Sequence, residues 1–429
     1  MYDLGLLNGN LYIDGKYENK NLYIKDEKIA AISSDVFPCL KTVDIDGKSI
    51  LPGFIDPHVH FKLNLGEFES ADDFESGSIA AAFGGITTFI DFLDPIYNNN
   101  EFKSKLDNRL SLASSSYIDY SFHTTLGNYH DDVATLKDLS LQAGLTSIKV
   151  FTTYSESNRR CDIKVIESLL GTPLTILSHS ENDEIVKSDW SSVRDYELSR
   201  PVESETSQVM ILANLVKKTG GKLYIVHTSA GSTLEMLSEN YPEILGKHLF
   251  IESCPHYFNL SKDNFALPDG RLYLLAPPLR SKDEKEKLLN NFDSINTIGT
   301  DHCPFTSKEK FRYEDADKVP KGIGSIEFSF VLMYSIFGDK VIDEFTKNPA
   351  GIFGLKGKGT LEIGTDADMV VFDPKGKTVI SSGHSKCDYS PYEGYEAKGS
   401  IESTMIRGEF VIKDKKLLKT KGRFIRRSL

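Results

Sequence analysis

Between residues 53 and 301 the chain repeats one pattern eight times: a mostly apolar run of six to eight residues, then in most cases a longer amphipathic stretch. The runs are Gly53–His60, Gly85–Phe92, Asp119–Leu126, Thr146–Phe151, Pro173–His179, Lys222–Thr228, His248–Cys254 and Asn296–Asp301. Short apolar runs of this kind read as strands buried on both faces, and helix-length connections let such strands pair in parallel. Eight units over about 250 residues match the count and length of a (β/α)8 barrel. The alternative, a doubly wound open sheet, lacks support because no Gly-x-Gly-x-x-Gly turn follows an early strand.

The two ends of the chain follow a different rhythm. Leu4–Asn8, Asn10–Ile13, Asn21–Lys25, Lys28–Ile32 and Thr42–Asp44 read as short strands punctuated by the turn pairs Asn8-Gly9, Asp14-Gly15 and Asp46-Gly47. Met369–Phe372, Ser400–Ile406 and Glu409–Ile412 repeat the theme at the far end. Each end alone is too small to bury a core. The expected α/β architecture is therefore a (β/α)8 TIM-type barrel over residues 51–357 and a β-sandwich domain assembled from residues 1–50 and 358–429.

Composition narrows the partners. Fifty Lys and Arg against 62 Asp and Glu give a formal charge of −12, and the basic cluster is confined to Lys413–Arg427. Such a chain repels a phosphate backbone, so no nucleic-acid partner is expected. The longest apolar stretches, around Ile79–Ile90 and Ser329–Phe337, are short and broken by Gly, Thr or Ser, which argues against a membrane span. No basic leader precedes an apolar stretch near Asp3. Five scattered cysteines, Cys39, Cys161, Cys254, Cys303 and Cys387, form no Cys-x-x-Cys pair and read as reduced thiols. A cytoplasmic protein of enzyme size is the expectation.

The polar residues that end the strands carry the chemistry. GFIDPHVH places His58 and His60 two apart, on one side of an extended segment. TSIKVF carries Lys149 among apolar neighbours, LSHSEN ends with His179, YIVHTS with His227 and TIGTDH with Asp301. All fall toward C-terminal strand ends, where barrel active sites are built. Each has an ordinary structural explanation taken singly: a satisfied histidine, a snorkelling lysine, an aspartate capping a turn. Their joint placement is what points to metal binding, because His123, His130, His248, His256, His302 and His384 make no second such set. Neutral imidazoles with a carboxylate suit zinc, with nickel, manganese or iron(II) as alternatives. A cationic Lys149 would repel the metal, a conflict removed if its amine reacts with carbon dioxide to give an anionic carbamate.

With GFIDPHVH, ESADDFESGSIAAAFGGITTFIDF, SIKVFTTY, LSHSEN, YIVHTSA, IESCPHY, GTDHCPF and SPYEGYEAKGSIESTMIRG, the chain resembles the cyclic amidohydrolases of the amidohydrolase superfamily over nearly its whole length. Within them it is most similar to the dihydropyrimidinase/hydantoinase group. The resemblance implies two divalent ions per chain, zinc by the family pattern. His58, His60 and Asp301 would hold the more buried ion and His179 and His227 the other, with a carboxylated Lys149 and a hydroxide bridging them. It implies hydrolysis of a cyclic amide, opening a dihydropyrimidine or hydantoin ring to an N-carbamoyl amino acid. Asp301 would shuttle the proton, and Tyr154, five residues after Lys149, would donate to the developing oxyanion. Substrate contacts would come largely from backbone groups around Ser253 and Lys321, where the group usually shows Asn in place of Lys321, and a homotetramer is expected.

Ring choice rests on finer marks. Dihydroorotases and allantoinases usually follow His-x-His with Arg or Asn and then Glu-Pro-Gly, whereas this chain reads HVHFKLNLGEFESADDF. Lys62 keeps the dihydroorotase reading open, with allantoinase as a further alternative, although a lysine point charge is not an arginine fork. A non-enzymatic, dihydropyrimidinase-related scaffold would have no need for the complete ligand set. Leu63, Leu65 and Phe151 are expected to face the ring substituent. Asn158, standing where the group shows an aromatic, is followed by Arg159 and Arg160. That run reads either as a solvated loop or as a rim that welcomes a polar or anionic substituent.

Overall fold

The computed structural model describes every residue except Ser188, Asp189 and Ser191. All eight apolar runs contain strands: Phe54–Asp56, Ile86–Phe92, Asp119–Thr125, Ser147–Phe151, Thr175–His179, Lys222–Ile225, Leu249–Ser253 and Thr297–Ile298. They pair in parallel, in sequence order, as one eight-stranded sheet. A parallel bridge between Val59 and His302, with the His60 N–H donating to the His302 carbonyl at 3.0 Å, joins the last strand to the first and closes the ring. Several strands end earlier than their apolar runs because the polar tips leave the ladder. His227 and Asp301 adopt φ of 40° and 48°, a left-handed turn that lifts each side chain off the sheet toward the barrel mouth.

The connecting helices start and stop on local signals. Asp73 caps Phe74–Phe83 in a reciprocal capping box with Ser76, and Asp132 caps Val133–Ala143, which ends at Gly144 with φ 77°. Gly77, on the first of these helices, is required by packing: a Cβ there would lie 2.2 Å from the Phe61 ring, which is fully buried between helix and barrel.

Both termini build the second unit, a nine-stranded sheet that wraps its own apolar core as a β-sandwich. Its seam is Ser49–Pro52, which pairs in parallel with Tyr2–Ile13 and antiparallel with Met369–Val379. Leu6, Leu22, Ile50, Met369 and Met405 lie in that core. Two expected strands, Leu4–Asn8 and Asn10–Ile13, are one continuous strand with an irregularity between Leu6 and Gly9. The Asn8-Gly9 pair is thus a bulge rather than a hairpin turn. Asn8, at φ 59°, is held by its N–H to the Asn21 side chain at 3.0 Å.

Charge ties the two units together. The buried amine of Lys358 sits 2.9 Å from Asp119 on the barrel and 2.6 Å from Asp368 beside the terminal sheet. The C-terminal tail then returns under the barrel floor, where the buried Arg427 guanidinium donates to Ser121 and Ser147 at 3.0 and 2.9 Å. Ser147 also meets His123 Nδ1 at 2.6 Å, so the tail braces the strand that carries Lys149. Among the described residues no helix is long and apolar enough to cross a membrane, and all five cysteines are free thiols.

Candidate active site and metal centre

His58, His60, Lys149, His179, His227 and Asp301 line one cavity of about 520 Å3 at the barrel mouth. His58 and His60 lie just past the first strand, on the extended segment whose Val59 bridges to His302. Their Nε2 atoms are 3.2 Å apart, and the Asp301 Oδ1 is 3.2 Å from the first and 3.0 Å from the second. One donor atom from each of these three residues lies within 4.8 Å of the others, a spacing suited to a single cation. Opposite them, His179 Nδ1 faces His227 Nε2 at 2.9 Å, and the His227 and His58 ring centroids are 5.5 Å apart.

The far sides of these rings identify which nitrogens are available. His58 Nδ1 lies 2.7 Å from Glu252, and His179 Nε2 lies 2.6 Å from Glu181. A carboxylate takes the N–H of each ring, which leaves the opposite nitrogen as a lone pair aimed into the cavity. Glu252 is held in turn by the His227 N–H and the Tyr224 hydroxyl, each at 2.8 Å. Burial holds the imidazoles in the neutral, ligating form, pushing His60 down to about 4 and His227 well below its ordinary value. The His227 Nδ1 is buried without a partner among the described residues. Facing lone pairs repel unless something electrophilic lies between them, so this donor set fits divalent cations.

Lys149 is 2% exposed, and among the described residues its amine makes no hydrogen bond. It lies 5.5 and 5.4 Å from the Phe92 and Phe151 ring centroids. Burial pushes it down to about 8, against the pull of Glu252 and Asp301. For Asp301, burial alone would raise the carboxyl, but His58 and His60 outweigh it and hold the group well below the usual carboxylate range.

Tyr154 stands at φ 71° directly after the Lys149 strand, its ring 5.1 Å from that of His179. Burial pushes its hydroxyl up to about 12, so it remains a proton-bearing donor. Leu63, Leu65, Phe151, Tyr154 and Lys321 line the cavity. Two other expected contacts do not. Lys62, at φ 53°, sends its amine to Glu69 at 2.5 Å; Ser253 is buried with its hydroxyl donating to the Thr228 carbonyl at 2.7 Å, which leaves only its backbone for the expected contact. Arg159 and Arg160 part company: Arg159 lines the cavity, while Arg160 turns to Asp183 at 3.4 Å. Asn158 is exposed and accepts from Asn128 at 2.9 Å, which corrects its place on the rim.

Sequence reasoning did not find Glu181, Glu252 or Arg200. The signal was present in LSHSEN and IESCPHY, where a carboxylate follows a candidate ligand or interrupts a buried strand.

The chain is similar to known proteins over nearly its whole length. The model of the amidohydrolase family matches residues 283–411. A D-hydantoinase of Geobacillus stearothermophilus is 32% identical, over 97% of this chain and 94% of its own. A D-phenylhydantoinase of Escherichia coli is 31% identical, over 95% and 94% respectively. The crystal structure of dihydropyrimidinase from Brevibacillus agri superposes with a TM-score of 0.92 at 28% identity, covering 100% of this chain and 99% of that one.

Proposed function

We propose, for a chain that belongs to the cyclic amidohydrolases of the amidohydrolase family, that it opens a hydantoin or dihydropyrimidine ring to an N-carbamoyl amino acid. Hydrolysis of a cyclic amide is the activity, and the family uses divalent metal. The observation that carries the finer reading is the convergence of four imidazoles, a carboxylate and a buried lysine on one cavity that Tyr154 also lines.

His58, His60 and Asp301 would hold one divalent ion and His179 and His227 a second. Lys149, as its carbamate, would lie between them, and zinc suits this donor set best. Two bound dications would supply Lewis acidity, polarising the ring carbonyl and bringing the pKa of water toward about 7. The depressed pKa of Lys149 supports the carbamate, because only the neutral amine attacks carbon dioxide. As the new C–O bond forms, Asp301 takes the proton from the attacking water. It returns that proton to the departing ring nitrogen as the C–N bond breaks, so atoms and charge balance. The Tyr154 hydroxyl donates to the carbonyl oxygen as negative charge develops there.

Glu252 and Glu181 orient the imidazoles, while the cavity wall at Leu63, Leu65 and Phe151 excludes water from the ring face. The outward turn of Lys62 onto Glu69 disfavours the dihydroorotase alternative, since the cation that would read a ring carboxylate beside the ligands points away. A cytoplasmic homotetramer remains part of this reading, by the family pattern. The test is a panel on metal-replete enzyme of dihydrouracil, hydantoin, substituted hydantoins, dihydroorotate and allantoin, followed by ring opening. Turnover of dihydroorotate or allantoin alone would overturn the assignment.

A further inference from the structure

The chain carries a net charge of −12, yet the cavity that holds the candidate ligands is lined by more cations than anions. Setting Lys149 and Asp301 aside, six cationic side chains face it against Asp94, Glu156 and Asp317. Three of the six are neutralised in place: Arg109 by Asp94, Arg200 by Glu181 and Lys318 by Asp315. Arg159, Lys187 and Lys321 pair with no carboxylate among the described residues. Lys321 is the most enclosed of these. Its amine rests on the Asp317 backbone carbonyl and lies 5.4 Å from the Trp190 ring centroid, and Arg159, Lys187 and Lys321 together face the two remaining carboxylates of the lining, Glu156 and Asp317. Leu63 and Leu65 line the same cavity and supply apolar surface within it.

Resting on the ring-opening reading above, we propose that the preferred substrate carries a carboxylate at the end of a short aliphatic ring substituent, read by Lys321 and Arg159. The methylenes of such a substituent would pack on Leu63 and Leu65, and the carboxylate would replace the backbone carbonyl as the lysine's acceptor. A charge-assisted contact in a partly closed cleft is stronger than the lysine's present bond to a neutral carbonyl, which supplies the discrimination. Arg160 has no part in this, being held by Asp183 outside the cavity.

The test compares 5-(2-carboxyethyl)hydantoin with 5-(2-carbamoylethyl)hydantoin, rings of nearly equal shape that differ in charge. On the metal-replete enzyme the acid is expected to exceed the amide in kcat/KM by about tenfold at low salt. The ratio should fall toward one in Lys321→Met with Arg159→Met, and as ionic strength rises. A ratio of one in the unaltered enzyme, or a high ratio unmoved by both substitutions, overturns the proposal. Equilibrium binding of both rings to Asp301→Asn separates the two readings. Tighter binding of the acid without turnover of either ring by the unaltered enzyme would sink ring opening and keep the charge preference. Equal binding with brisk turnover of both would do the reverse.

Discussion

The guanidinium of Arg200 lies 4.9 Å from the centroid of the Tyr154 ring while the same side chain is ion-paired to Glu181. Glu181 in turn fixes His179 Nε2, so one cation links the orientation of a ligand to that of the oxyanion donor. Arg200 also sits at φ −136° just before the helix Val202–Thr219, with its carbonyl accepting from Arg280. Its planar fork can bond and stack at once, which a lysine cannot reproduce.

Tyr154→Phe removes one hydroxyl and keeps the stacked ring. Turnover should fall roughly 10²–10³-fold with KM little changed, as for loss of a single oxyanion donor. Arg200→Lys should also lower kcat, through a misplaced Tyr154, and should add little to the loss in the double variant. Independent, multiplying effects would show that the stacking does not position the tyrosine.

Lys149→Ala should bring metal content well below two ions per chain and abolish turnover. Short carboxylic acids should restore part of both, because they can occupy the space of the carbamate. Metal analysis alone decides the point: a variant retaining both ions would remove Lys149 from the centre.

Asp301→Asn keeps one oxygen donor in place but removes the anionic oxygen that takes the proton. It should retain much of its metal while losing hydrolysis almost completely. A loss of only a few fold would move the proton shuttle to another group.

The barrel was legible because its strands are buried on both faces, and continuous apolar runs survive any reading frame of periodicity. The six candidate ligands were legible because they gather at the tips of such runs, a joint placement that the ordinary role of each one singly does not explain. What escaped was long-range. Ser49–Pro52 looks like a prelude to the barrel, yet it forms the seam of the terminal sheet, since its partner strands are supplied by both ends of the chain. Glu181 and Glu252 resemble any buried carboxylate until the rings they hold are seen. Lys62 and Arg160 were drawn away from the cavity by Glu69 and Asp183, ion pairs that no local pattern announces.

Lys310 gives a prediction in pH. It is fully buried, and its amine donates to the Leu274 and Pro320 carbonyls at 2.7 and 2.9 Å, pinning the loop that carries Lys321 into the cavity wall. Burial pushes its pKa from 10.5 down to about 7, with Lys321 adding to the fall and Cys303, Cys387 and Glu309 opposing it. A neutral amine still offers two N–H donors, so both bonds survive deprotonation. Between about pH 7 and 10.5 the unfolded chain binds the proton and the folded chain does not. The sign therefore makes this group's contribution to stability rise with pH across that window, by at most about 1.4 kcal/mol per unit. In Lys310→Met both carbonyls lose their donor, and the variant should be the less stable at pH 9. Its deficit relative to the unaltered protein, read by denaturant unfolding, should shrink as pH falls toward 7. A deficit that stays constant from pH 7 to 9.5 would mean that Lys310 remains protonated in the folded chain over that range.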